Sequence, residues 1–383
     1  MRPPPSACPD SSAAWPAEGR SRGGAGATLR LLSAVALAVT LAFALAGCST
    51  LGYYGQAARG QAEILLGRRP LASVVSDPDT PPAVRAKLVL ARDARQFAAT
   101  RLALPDNSSY HRYTDLGRPF VVWNVFAAPA LSLEPVASCF PIVGCLDYRG
   151  YFREDSARRH ARQLAAAGND VYVGGVAAYS TLGWFADPLL NTMLAWDDRR
   201  LVKTLFHELA HQRIYVKDDT SFNESFAMAV ADLGWARWQA ARGEPLEDDD
   251  DTRREAQLVA LLIEHRDALD ALYRRPDLTD ARKLELKRVR YAALAADYAA
   301  LRAQWNGDTS YDEWMNVDMN NAKLASIATY HEFVPGFLAL FEVAGGDFAR
   351  FYARVEALGR QDRAARARCL EAVAAGAADC PGP

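Results

Sequence analysis

His207, Glu208 and His211 stand in the string FHELAHQ (206–212), and Glu224 follows in FNESFA (222–227). Two histidines four apart on a helix lie one turn above each other and can aim both imidazoles at one point. Each member of the pattern then has a task. Neutral imidazoles hold Zn²⁺ and leave one position open to water. A glutamate beside them accepts that water's proton as it attacks a carbonyl. At about 100° per residue, Leu201, Val202, Leu205, Phe206 and Leu209 fill one arc of such a helix, with the histidines roughly opposite. A catalytic zinc takes three protein ligands. The extension that adds Gly and a third His is excluded, because Ile214 and Lys217 occupy those positions. Glu224, past the turn KDDTS, is the candidate third ligand. It also completes a capping box with Ser221, in which it would reach back to the N-cap amide. The ligand reading is preferred, since a histidine pair without a third ligand is a poor site.

The elements that must position these residues are mostly helical. Helical periodicity runs near 55–67, 83–103, 155–167, 198–216, 221–241, 252–274, 280–305, 320–330, 333–357 and 362–374. PFVVWNVF (119–126) and DVYVGGVAAYS (170–180) read as strands, rich in β-branched and aromatic residues. The expected fold class is therefore mainly α with a small β-sheet. Helices 252–274 and 280–305 are expected to form a long antiparallel hairpin, a subdomain spanning about 252–305 and turned at Pro276. The acidic run EPLEDDDDTRR (244–254) lacks the alternation and central Gly of a calcium loop and reads as a solvated connection. His111, His160 and His265 lie in polar contexts and read as surface residues. There is no P-loop, dinucleotide fingerprint or internal repeat.

At HExxH with a downstream Asn-Glu, the sequence resembles the gluzincin metallopeptidases. More closely, it resembles a bacterial family of lipoproteins classed as zinc aminopeptidases. The stretches that carry this resemblance are HELAHQ, FNESFA, CFPIVGCLDYRGYF, VVWNVFAAP and MNNAKLASIATY, which span nearly all of the mature chain. The resemblance implies a zincin-like core, with an edge strand upstream of the HExxH helix that holds an extended peptide. Residues 171–178 are the candidates for that strand. It also implies a donor to the oxyanion, with Tyr330 the first candidate and Tyr215 and His331 behind it. Three features depart from well-characterised gluzincins, the first being a shorter gap from His211 to Glu224. Met228 stands where a second carboxylate is common, Asp232 lies a turn further on, and no GxMEN-like segment is present to grip a free amine. The functional expectation is a zinc metallopeptidase acting on peptides, with an aminopeptidase implied by the family. An envelope endopeptidase and a non-catalytic scaffold with a vestigial site are the rivals.

The formal net charge is -2 with both signs spread along the chain, which gives no basic footprint for nucleic acid. Residues 1–27 are rich in Pro, Gly, Ser and Ala, and an apolar run of signal-peptide length follows Arg30. The run closes on LAGC (45–48), which resembles the lipobox of bacterial lipoproteins. That implies removal of 1–47, acylation of Cys48, and a mature domain 48–383 anchored by lipid, with Ser49 directing it to an outer membrane and the periplasm. Four further cysteines, Cys139, Cys145, Cys369 and Cys380, allow three pairings. Local spacing favours Cys139–Cys145 and Cys369–Cys380, both compatible with an oxidising compartment.

Overall fold

The structure is a computed structural model that describes residues 51–141, 143–244, 250–378 and 380. Expectations for the leader, for Cys48 and for residues 245–249 of the acidic run fall outside these residues, while Asp250 and Asp251 begin a helix rather than a loop. Contacts divide the chain into two units, Met1–Gly55 and Gln56–Pro383, and everything below belongs to the second.

After a helical segment that runs on to residue 66, as expected near 55–67, the long helix α1 (Pro82–Arg101) starts with proline in its first turn, where a missing N–H costs nothing. A three-stranded antiparallel sheet follows. Its centre is β1 (Val122–Pro129), and β2 (Ser138–Phe140) and β3 (Gly144–Leu146) form a separate small ladder closed by the Cys139–Cys145 disulfide. β4 (Tyr148–Tyr151) pairs with one side of β1, and β5 (Asn169–Val176) pairs with the other over the whole length of β1. The helix between them, α2 (Glu154–Ala166), packs back on the sheet. Both strands expected from the sequence form, β1 shifted three residues towards the C-terminus. A second small sheet joins Arg69–Pro70, Arg112–Thr114 and Leu189–Leu190.

Then come α3 (Asp198–Arg213) and α4 (Thr220–Ala241), which pack on each other and, through α3, on α1. All five residues of the predicted apolar arc on α3 are essentially inaccessible to solvent. Gly234 sets how closely the two helices approach. A Cβ there would lie 2.7 Å from Phe206 Cδ2 and 2.9 Å from Leu102 Cδ1. The helix gives up about 1 kcal/mol of propensity at that glycine in exchange for the contact.

The hairpin forms as expected from α5 (Asp250–Tyr273) and α6 (Asp280–Gln304). It carries a core of its own, with Leu262, Leu269, Leu294 and Trp305 among its members. His265 belongs to this interior. It is 1 % exposed with Nε2 3.0 Å from Asp297 Oδ2, so its reading as a surface residue is corrected. Its polar neighbours Glu264 and Asp267 are exposed, so they lie on the solvent side of the helix while His265 points inward.

α7 (Asn321–His331) joins the hairpin to the sheet. Asn321, wholly buried, does most of this. Its Nδ2 donates to the carbonyls of Pro129, Ala130 and Ser132 at 3.0, 3.1 and 2.9 Å. Its Oδ1 accepts from the hydroxyls of Tyr273 and Tyr291, both at 2.8 Å. Lys323, equally buried, donates its ammonium to the carbonyls of Trp314 and Val317 and lies over the Trp314 and Tyr172 rings. Each such buried group left unpaired would cost about 1–3 kcal/mol, so this network fixes the placement of α7.

The expected single helix over 333–357 is two helices, α8 (Val334–Val343) and α9 (Phe348–Gly359). The break falls at Gly345 and Gly346, both at φ +69, a backbone state that ends a helix and that glycine adopts without strain. α10 (Arg363–Ala374) closes the chain, stapled by Cys369–Cys380.

Candidate metal centre

α3 is capped by Asp197, whose carboxylate accepts from Arg200 N at 2.7 Å, and it presents His207, Glu208 and His211 near its C-terminal end. After the turn, Asp219 caps α4 by accepting from Phe222 N at 3.3 Å. Asp219 is itself buried and gripped by the Arg366 guanidinium of α10 at 2.8 and 2.7 Å. Ser221 is therefore not the N-cap, and the capping-box reading of Glu224 is corrected. With Asp219 serving the first-turn amide, the Glu224 carboxylate turns inward to the histidines.

Three atoms converge there. His207 Nε2 lies 3.1 Å from His211 Nε2, and Glu224 Oε2 lies 3.2 and 3.4 Å from them. Among the described residues, this trio forms a group of metal-ligating type. Zinc–ligand bonds of about 2.0–2.1 Å at a tetrahedral angle imply ligand–ligand separations of about 3.3–3.4 Å. The three observed edges fit that figure. The donor set, two imidazole nitrogens and one carboxylate, is also one that zinc accepts. The residues present thus fit the group.

The electrostatics follow from burial and proximity. Burial opposes the charge on Glu224, but the His211 imidazole and the hydrogen bonds from both histidines outweigh it and hold the carboxyl at about 2. Burial likewise opposes protonation of His211, and the Glu224 carboxylate again outweighs it, raising the imidazole. Glu208 is pushed up from the ordinary carboxylate value, chiefly by burial, with His207 and His211 opposing and the Glu224 and Asp187 carboxylates adding to the rise. A buried, raised carboxyl beside the cluster is what a proton acceptor requires.

Tyr330, on the last turn of α7, stacks over His207 with ring centroids 6.5 Å apart. Burial, then the carboxylates of Glu224 and Glu208, raise its phenol well above the usual range. No described residue hydrogen-bonds its hydroxyl. Tyr215 is less free, since its hydroxyl donates to the Val143 carbonyl at 2.9 Å. Burial pushes the His331 imidazole down, with Glu255 and Asp232 opposing. Asp232 forms an ion pair with Lys203 at 2.5 Å and does not brace the histidines.

One residue was missed by sequence reasoning. Tyr148, the first residue of β4, pairs across the sheet with Phe126, which pairs in turn with Tyr172. This aromatic row, with ring centroids 5.3 and 6.2 Å apart, is the surface on which Tyr330 and Ala322 of α7 pack. Burial raises the Tyr148 phenol, and the charges of Glu224 and Glu208 add to the shift. Two phenols without described partners thus face the cluster. The stretch CFPIVGCLDYRGYF contains Tyr148, but only the sheet pairing brings it to the site.

Over residues 52–370 the chain matches a family model described as "Putative aminopeptidase". The chain belongs to this family. The match covers α3, α4, the sheet, α7 and the hairpin. No curated protein and no solved structure matches the chain.

Proposed function

We propose that the protein is a zinc-dependent peptidase, most simply an aminopeptidase, with His207, His211 and Glu224 as metal ligands. The observation that carries the reading is the convergence of two Nε2 atoms and one carboxylate oxygen at 3.1–3.4 Å, with a buried glutamate next to them in sequence. A divalent ion bound there supplies Lewis acidity, which eases deprotonation of water and polarises a carbonyl. The protein's own groups do the rest. Glu208 takes the proton from the attacking water and passes it to the departing amine. The Tyr330 hydroxyl, free of other partners among the described residues, donates to the oxygen on which charge builds. Backbone groups along the outer edge of β5 hold the peptide extended, since that edge has no strand partner among the described residues. Anchoring of the mature chain by acylated Cys48 at an outer membrane, facing the periplasm, completes the proposal. It rests on the LAGC sequence alone.

The test combines metal and substrate. Purified protein is expected to hydrolyse peptides with a free amino terminus, to lose that activity on chelation, and to regain it with zinc. N-terminally blocked peptides are expected to remain uncut. Cleavage of blocked peptides at internal bonds would make the protein an endopeptidase, and activity untouched by chelators would remove zinc from the account.

A further inference from the structure

The turn from Ile214 to Asp219 is the whole connection between α3 and α4, and so it sets where Glu224 stands relative to the two histidines. It is held from both sides. On the inner side Asn223, 2 % exposed, accepts from Val216 N and donates to Val216 O, both at 2.7 Å. This accounts for the asparagine that precedes Glu224.

On the outer side the loop closed by Cys139–Cys145 lies over the turn. Tyr215 donates its hydroxyl to Val143 O at 2.9 Å, and Cys145 N donates to Asp218 Oδ1 at 2.7 Å. Next to the loop, Asp147 N donates to Thr220 Oγ1 at 3.3 Å. The backbone of Gly144, at φ +81, presses so closely that a Cβ there would meet Asp218 Oδ1 at 2.4 Å and Lys217 Cγ at 2.7 Å. Asp218 itself sits in the left-handed region at φ +65, a state that its own residue type tolerates better than most. The loop touching the turn is a ladder of three residues per strand. Two such short strands do not hold a shape alone, so the disulfide keeps the loop rigid.

We propose that the Cys139–Cys145 loop is a positioning clamp, which fixes Glu224 against His207 and His211 and thereby sets the affinity of the site for its metal. The proposal rests on the metal-site reading above. The clamp acts through the turn, and none of its residues needs to touch metal or substrate. The second disulfide, Cys369–Cys380, serves as a comparison. It lies on α10, whose Arg366 also holds the α4 cap.

Zinc affinity is measured by competition with a chromophoric chelator on the full mature chain, with melting curves on the same samples. Removing a support behind a metal ligand typically weakens binding by about 10–100-fold. That is the loss expected for Cys139→Ser/Cys145→Ser, with serine avoiding new thiol ligands. Tyr215→Phe/Asp218→Gly, with the disulfide intact, is expected to move in the same direction and decides the question if the cysteine variant fails to fold. Asp218→Asn keeps an acceptor oxygen and the left-handed backbone, and is expected to retain wild-type affinity. Cys369→Ser/Cys380→Ser is expected to lower the melting temperature while zinc affinity stays within about threefold of wild type, below the range for a lost ligand support. Clamp variants that bind zinc as wild type does would overturn the proposal, as would an equal loss in the Cys369–Cys380 control. Wild-type protein that binds no zinc would overturn the metal reading, and the clamp with it.

Discussion

Glu208→Gln is expected to keep its zinc and to lose turnover by about 10²–10⁴-fold, the range for removing a general base. Glutamine matches glutamate in size, so neither α3 nor the imidazoles beside position 208 should move. What disappears is the capacity to take a proton. The site makes this loss hard to replace. Glu224, the nearest other carboxylate, is held at about 2 by the two histidines and is a poor proton acceptor. Glu208, by contrast, is raised by burial, which outweighs the opposing influence of His207 and His211. Single-turnover rates with metal analysis on the same preparation check the expectation. A variant that turns over near the wild-type rate would assign water activation to another residue.

Glu224→Ala is expected to abolish stable zinc binding and activity together, because it removes one of three donor atoms from the cluster. The same variant tests the electrostatics of the metal-free protein. Glu224 is depressed from 4.5 to about 2, so its contribution to stability is complete above 4.5 and is lost as pH falls towards 2. His211 is raised above 6.5, so its contribution is complete below 6.5 and is lost as pH rises through the higher folded value. Metal-free wild type therefore draws most from this cluster between about 4.5 and 6.5, and Glu224→Ala should lack that maximum. Zinc requires the neutral imidazole, so its affinity should weaken as pH falls through the raised His211 value. Urea melts of both proteins across pH, with zinc titrations, give the answer. Full zinc occupancy in Glu224→Ala would remove this residue from the ligand set.

What the sequence shows of this site depends on how local each relation is. The placement of His207 and His211 on a shared face, opposite a buried arc, follows from a helical period and is readable directly. Glu224 is ambiguous in sequence because Ser-x-x-Glu serves equally as a cap. The ambiguity ends only when Asp219 is seen accepting the first-turn amide, held there by an arginine far along the chain. Tyr148 was invisible for a related reason. Nothing in its neighbourhood points to the histidines, and only pairing with Phe126 in the sheet carries it there. The same holds for His265, whose polar neighbours conceal a helix–helix interior. The split of 333–357 was legible in principle. Gly345-Gly346 marks the stop, but the apolar period on both sides is strong enough to hide it. The favoured cysteine pairs, chosen by short spacing, are the pairs seen in the structure.

The most direct measurement is anomalous diffraction at the zinc edge from crystals of the protein purified with its metal. The account predicts a single strong peak bonded to His207 Nε2, His211 Nε2 and a Glu224 carboxylate oxygen, at about 2.0–2.2 Å. The absence of any peak at this cluster in zinc-replete crystals, or a metal held elsewhere with Glu224 turned away from the histidines, would contradict it.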